Sequence, residues 1–339
     1  MENCKIGILG AGSWGTALAL VLAKKGHNVD LWSAVKTEVE LLRTKREHVD
    51  RLPGAILPDN INIEESLELA CKDKDLIVFA VASPFVRTTA HNAKEFIKDG
   101  QRIVNVSKGI EDNTFKTLLE IIEEEIPQAK CCVLCGPSHA EEVSKDIPTT
   151  CVAGAKSREL AEFVQDIFIC DTFRVYTSPD VIGMELGASL KNVIALAAGI
   201  VDGLGFGDNT KAALITRGIA EITRLGCAMG AQPETFAGLS GIGDLIVTCT
   251  SIHSRNRQAG FLIGKGYKLA DAINEVNQTV EGVNTAKAAY GLAKKYNVEM
   301  PIVEQICKVL FEDKSAKVAI YDLLRRDKSI EYKTLKWND

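Results

Sequence analysis

Gly10-Ala11-Gly12-Ser13-Trp14-Gly15 constrains this chain more than any other stretch, because of what stands on either side of it. Lys5 to Leu9 is a short apolar strand that stops at the glycines. TALALVLAKKG follows as a helix with Gly26 as its stop, and HNVDLWS reads as a second strand. In this strand–turn–helix–strand setting the three glycines have separate tasks. Gly10 makes the tight turn, Gly12 lets a backbone approach a pyrophosphate, and Gly15 lets helix and strand pack closely. The phosphates rest on amide groups at the helix N-terminus. A Rossmann-like dinucleotide site is therefore expected over Gly10, Gly12, Ser13, Trp14 and Gly15, for NAD or NADP.

The choice between those two cofactors stays open in the sequence. Asp30 lies about 20 residues beyond the glycines, where a ribose-binding acid is expected. It precedes Leu31 and Trp32, however, and so falls inside the strand. The tip reads Ser33-Ala34-Val35-Lys36, with no clear carboxylate; Ser33 and Lys36 could tolerate a 2′-phosphate, though Lys36 reads more readily as solvated.

Residues 36–74 read as charged and mostly helical or irregular. Strands then recur at Asp75 to Val81, Arg102 to Val106, Lys130 to Leu134, Thr149 to Ala153 and Thr172 to Tyr176, with helical patterns between them. The alternation implies a doubly wound, mostly parallel sheet that binds ligands beyond the carboxyl ends of its strands. Those ends supply Ser107-Lys108-Gly109 and Gly136-Pro137-Ser138-His139-Ala140, and Lys108 is expected to project over the crevice.

After Asp180 the strand pattern stops and helices separated by glycine-rich turns take over. The fold class is thus α/β: a dinucleotide-binding sheet over 1–178, a nearly all-α domain over 179–325, and a polar tail over 326–339. The first long helical stretch, Gly183 to Asn209, is apolar on nearly every side yet carries Lys191 and Asn192. Its helical neighbours Gly187, Ala188, Ile194 and Ala195 cannot pair with an ammonium. Lys191 either snorkels to the surface or occupies a poorly hydrated pocket, where burial would lower its pKa toward that of a proton acceptor. Asp244 sits between a glycine turn and an apolar run, where an unpaired carboxylate is costly, and Lys191 is a plausible partner. Arg217, Glu221 and Arg224 share one helix face and read as a mutually paired stripe. Ser254 reads as the N-cap of a helix opening Arg255-Asn256-Arg257; amides beside an arginine suit a local phosphate site, with a structural capping role alone as the alternative.

The net charge of −5 excludes a global basic field for nucleic acid or an anionic membrane. The ten cysteines lie in apolar segments, as buried free thiols do, and Cys132 and Cys135 have no second ligand pair downstream; no metal is expected. Glu2 and Asn3 lead straight into the first strand, without a secretory leader, and no uncharged apolar run approaches the ~20 residues of a membrane span. A cytoplasmic location is expected, and a homodimer is compatible with the sequence.

GAGSWGTALA, VSKGIE, CGPSHAEEV, LKNVIALAAGIVDGLGFGDNTKAALITRG, GLSGIGDLIVTC, SRNR and VEGV occur in this order from about residue 4 to 325. In this the chain resembles the bacterial NAD(P)-dependent glycerol-3-phosphate dehydrogenases. The resemblance implies a helical domain of the 6-phosphogluconate dehydrogenase C-terminal type. It also implies interconversion of sn-glycerol 3-phosphate and dihydroxyacetone phosphate, supplying phospholipid synthesis. Carried over, Lys191 resembles the proton acceptor, with Asn192 and Asp244 as its polar neighbours. Lys108, Gly136 and Ser138 resemble substrate contacts, and Ser254, Arg255 and Asn256 the phosphate end. Lys108, Ala140, Arg255 and Glu281 join Ser13 and Trp14 as implied cofactor contacts. The chain departs from the family at Ser33-Ala34, where arginine or histidine is common, and at HVDRL, where N-x-x-Y-L is common. A related 3-hydroxyacid or 6-phosphogluconate-type dehydrogenase, or a cofactor-binding regulatory protein without chemistry, are the competing readings.

Overall fold

A computed structural model describes residues 3–328, 330 and 331. Of the expected tail, residues 329 and 332–339 lie outside the described residues. The first half is one eight-stranded sheet in the order β3-β2-β1-β4-β5-β6-β7-β8. Its strands are β1 (Lys5–Leu9), β2 (Asn28–Trp32), β3 (Ile61–Glu64), β4 (Leu76–Phe79), β5 (Arg102–Asn105), β6 (Lys130–Cys135), β7 (Thr149–Ala155) and β8 (Phe173–Ser178). All neighbours pair parallel except β6 and β7.

The parallel strands are apolar because helices cover both faces of the sheet. Ile6, Ile8, Val29, Leu31, Leu76 and Val78 belong to one buried layer, and Leu9, Ile77, Phe79 and Ile103 to the opposite one. β3 corrects the reading of residues 36–74 as helical or irregular: it is a four-residue edge strand paired with β2. The strand order reverses between β1 and its neighbours β2 and β4, which opens the ligand crevice at their carboxyl ends.

Beyond β8 the chain is helical. The central helix, Val181–Gly203, is capped by Asp180, whose carboxylate accepts from the Gly183 amide at 3.1 Å. It ends at Gly203, and a separate helix, Asp208–Ala228, follows, so the stretch read as one helix to Asn209 is broken after Gly203. By length and composition the central helix could cross a membrane, but most of it is buried inside the protein. Leu186, Leu190, Val193, Ile194, Leu196 and Ile200 form the middle of the second core. Helix Arg255–Gly264 lies against it almost backbone to backbone. A Cβ at Gly199 would stand 2.0 Å from the Arg257 carbonyl oxygen, and one at Gly260 2.0 Å from that of Leu196. The glycines near Lys191 thus set how closely the SRNR helix approaches the lysine's helix.

Among the described residues the polar stripe on Asp208–Ala228, expected to pair within itself, is turned to partners on other elements. Glu221 is buried and accepts from the amides of Ile302 (2.9 Å) and Val303 (3.4 Å), at the start of helix Pro301–Phe311. Arg224 donates to the Glu299 carbonyl at 2.9 Å. Glu221 therefore caps a neighbouring helix, whose free amides attract a carboxylate more strongly than exposed arginines do.

Candidate active site

The glycine turn lies where β1 meets the crevice. The Gly10 amide donates to the Trp32 carbonyl at 2.9 Å, and φ is +122° at Gly10. A Cβ at Gly10 would meet the Ala80 backbone at 2.7 Å, and one at Gly15 the Gly10 carbonyl oxygen at 1.9 Å. Gly12 differs. The nearest atom to a Cβ there is Arg51 Nη1 at 3.8 Å, so the space above the turn is open. Helix Ser13–Lys24 starts there without a side-chain cap, leaving its first amides aimed at that space. The indole Nε1 of Trp14 is buried with no hydrogen-bond partner among the described residues. An open second glycine, an uncapped helix start and an unpaired donor fit a dinucleotide pyrophosphate.

At the tip of β2, Asp30 lies within the strand and is held by Lys74 at 2.8 Å and by Asn62 at 2.9 Å. The tip nevertheless has a carboxylate, delivered by the next helix. Glu38, in Lys36–Lys45, accepts from the buried Ser33 hydroxyl and faces His48 Nε2 at 3.1 Å. Lys36 is solvated and reaches Glu65 at 3.3 Å.

The lysine on the central helix does not snorkel. Lys191 retains 7% side-chain exposure and Asp244 1%. Lys191 Nζ donates to Asp244 Oδ1 and, at 2.8 Å, to Thr248 Oγ1. Asp244 and Thr248 are one turn apart on helix Asp244–Thr250, so both face the amine. The Thr248 hydroxyl donates its own hydrogen bond to the Asp244 carbonyl at 2.6 Å, leaving an oxygen lone pair for Lys191. The other Asp244 oxygen, Oδ2, accepts from Lys108 at 2.9 Å. Lys108 projects from the end of β5 and also lies 3.4 Å from the Gly136 carbonyl.

These positions pull the two amines apart in pKa. Burial lowers Lys191, the Asp244 charge opposes it, the Lys108 charge adds to the lowering, and the net result is below an ordinary lysine. Burial also acts on Lys108, but the charge and hydrogen bond of Asp244 outweigh it and hold that amine above its ordinary value. One amine is thus prepared to give up its proton while the other stays an ammonium.

A polar chain leads from this centre to the SRNR helix. Asn192 Nδ2 donates to Glu281 at 3.3 Å, Asn256 Nδ2 donates to Asn192 Oδ1 at 3.0 Å, and the Gly282 amide donates to Asn256 Oδ1 at 2.8 Å. Burial raises the Glu281 carboxyl, against the charges of Arg255, Lys108 and Lys191. Ser254 caps its helix, accepting from the Arg257 amide at 3.3 Å, while Arg255 is exposed. Arg257 is committed to Asp202 at 2.7 Å, which leaves Arg255 as the helix-start arginine free of an ion pair among the described residues. After β6, Gly136 has φ +152°, and the Ser138 hydroxyl donates to its carbonyl at 3.0 Å. Ala140 opens the short helix Ala140–Val143 and is buried in the sheet-side core.

Two polar groups here escaped the sequence reading. Thr248 stands four residues after Asp244, a spacing that could have revealed it. His139 Nε2 is buried without a partner among the described residues, and burial, then the Lys191 charge, hold its ring below the usual histidine pKa. No cluster of three or more His, Cys, Asp or Glu able to hold a metal occurs among the described residues.

Residues 5–161 match the family model described as the NAD-dependent glycerol-3-phosphate dehydrogenase N-terminus, and 180–321 that of its C-terminus. The chain is 60% identical to the glycerol-3-phosphate dehydrogenase (NAD(P)+) of Agathobacter rectalis, over 98% of this chain and 99% of that protein. It belongs to the NAD-dependent glycerol-3-phosphate dehydrogenase family. The Bacillus subtilis member is 51% identical over 98% of this chain and 97% of its own. The crystal structure of the Coxiella burnetii glycerol-3-phosphate dehydrogenase superposes with a TM-score of 0.93 at 36% identity, covering 96% of this chain and 99% of that one. An NAD(P) cofactor, oxidoreductase class and the two-part fold follow from family membership. In this chain the Lys108–Asp244 bond joins the sheet half to the helical half, beside Lys191.

Proposed function

We propose that this chain interconverts sn-glycerol 3-phosphate and dihydroxyacetone phosphate, with Lys191 as the proton acceptor. The carrying observation is the buried Lys191 amine, fixed by Asp244 and Thr248 and lowered in pKa. Residues 1–178 are the dinucleotide-binding part and 179–325 the part that carries the proton acceptor, each lending some contacts to the other's ligand. When bound, the nicotinamide accepts or gives the hydride at C2 of the substrate.

In oxidation, neutral Lys191 takes the C2 hydroxyl proton as the carbon loses hydride. In reduction, the Lys191 ammonium returns it to the carbonyl oxygen. Lys108 remains cationic and stabilises negative charge building on that oxygen. Asp244 holds both amines by opposite oxygens and fixes their separation. Asn192, tethered to Glu281 and Asn256, keeps the amine's surroundings in register. Arg255, with Ser254, Asn256 and the amides of the helix start, binds the phosphate; Gly136 and Ser138 add substrate contacts. Binding energy at the phosphate then orients the reacting carbon. Ser13, Trp14, Ala140, Arg255, Lys108 and Glu281 are the proposed cofactor contacts beside the glycines.

The same reading makes the chain a cytoplasmic supplier of glycerol phosphate for phospholipid synthesis, and sizing of the purified protein tests for a homodimer. The reaction itself is tested by a substrate panel of dihydroxyacetone phosphate, 3-hydroxy acids and 6-phosphogluconate, followed by nicotinamide absorbance. Turnover confined to the triose phosphate pair is expected. Turnover of another substrate in its place would overturn the reading.

A further inference from the structure

The carboxylate at the tip of β2 has no part in the chemistry at Lys191. Glu38 Oε2 accepts from Ser33 Oγ, and Oε1 lies 3.1 Å from His48 Nε2 and 3.5 Å from Arg51 Nη1. Its side chain is 11% exposed. Burial raises the carboxyl, but hydrogen bonds from His48 and Ser33 and the Arg51 charge more than offset this, so Glu38 is an anion at neutral pH. The group also adjoins the dinucleotide turn. Arg51 Nη1 stands 3.8 Å from where a Gly12 Cβ would be, and the Arg51 carbonyl accepts from Ser13 Oγ at 3.1 Å. In this fold the adenosine ribose lies over the end of the second strand, beside that turn. The cations nearby are already matched: Arg51 by Glu38, and Lys36 by Glu65.

We propose that Glu38 sets cofactor choice, accepting a hydrogen bond from the ribose 2′-hydroxyl and repelling a 2′-phosphate, so that the chain takes NAD(H) over NADP(H). This rests on the reading above only in assuming that a nicotinamide dinucleotide binds at the Gly10–Gly15 turn. A 2′-phosphate would place a second anion against a fixed carboxylate whose cation is half-exposed, whereas a hydroxyl can donate to it. Discrimination of this kind comes as much from the repulsion as from the hydrogen bond.

The test is binding, not turnover: the full chain is titrated with NADH and with NADPH, without triose, following nicotinamide fluorescence. NADH is expected to bind about tenfold or more tighter than NADPH. Glu38→Gln keeps the volume and removes the charge; it should narrow the ratio severalfold, chiefly by tightening NADPH. Arg51→Ala exposes the Glu38 charge and should widen it. Wild-type protein binding NADPH as tightly as NADH would overturn the proposal, as would variants that weaken both cofactors equally, which marks a structural role only. A reversed preference would leave the reaction at Lys191 untouched, so the two readings fail separately.

Discussion

Lys191 and Lys108 are joined through one carboxylate: each donates to a different oxygen of Asp244, Lys108 to Oδ2 at 2.9 Å and Lys191 to Oδ1. Two buried ammonium groups this close repel, and the acid between them offsets that cost only while both bonds are made. Burial, with the Lys108 charge adding to it, lowers the Lys191 pKa against the opposing Asp244 charge, while Asp244 keeps Lys108 cationic. A proton acceptor and a fixed positive charge thereby stand side by side.

Asp244→Asn removes the anion and leaves the amines facing a neutral amide. Stability should fall by about 3 kcal/mol or more, the scale for a buried ion pair that loses one member. Lys191 should titrate lower still, since Asp244 is what opposes its lowering. Denaturant unfolding beside the pH–rate profile checks both; an unchanged midpoint would mean that the pairing carries little energy.

The two reaction directions should depend on pH with opposite sign. Oxidation needs the neutral amine and should quicken as pH rises through the Lys191 pKa, whereas reduction needs the ammonium and should slow. That limb should lie below the ~10.4 of an unperturbed lysine. Finding it at or above that value in both directions would remove the physical basis for Lys191 as acceptor.

Two of the three glycines of the turn, Gly12 and Gly15, should separate by experiment. Gly15→Ala places a Cβ 1.9 Å from the Gly10 carbonyl oxygen and should destabilise the fold. Gly12→Ala meets nothing within 3.8 Å, so its melting temperature should stay near wild type while NADH binding weakens. Equal melting losses in the two variants would contradict the assignment of Gly12 to the cofactor.

Glu185 gives a stability test away from the chemistry. It is buried on the central helix, accepting from Thr117 Oγ1 at 2.6 Å and from the Leu119 amide at 2.9 Å, and burial raises its pKa from 4.5 to about 7. A carboxyl raised on folding contributes stability that is fully present below its unfolded pKa and is lost as pH rises through the folded one. Glu185→Gln, a mimic of the neutral acid, should therefore gain on wild type between pH ~5 and ~8, by no more than ~3 kcal/mol. A difference in melting temperature that stays flat over that range would count against it.

Much of this was legible because its signals are local. The glycine turn, its flanking strands and the change to helices after Asp180 are read from punctuation and periodicity. The Lys191–Asp244 pair followed from the cost of an unpaired charge in apolar surroundings. Features set by distant partners were not legible. β3 is four residues in a charged stretch and exists by pairing with β2, and the antiparallel β6–β7 step depends on how the chain returns. Glu221 looked paired with arginines on its own helix, yet it meets amides of another. The Glu38 carboxylate was hidden because it stands on the helix after β2 and folds back to the strand tip. Lys108 was expected over the crevice, but its bond to Asp244 needs two elements 136 residues apart.

The most direct test of the central claim compares dihydroxyacetone phosphate reduction by wild type and by Lys191→Ala, with NADH binding measured on the same preparations. Wild type should turn over, and the variant should lose turnover on the order of a thousandfold, the range of a positioned proton donor. NADH affinity should stay within severalfold. A variant that retains turnover within severalfold of wild type would show that Lys191 does not carry the proton.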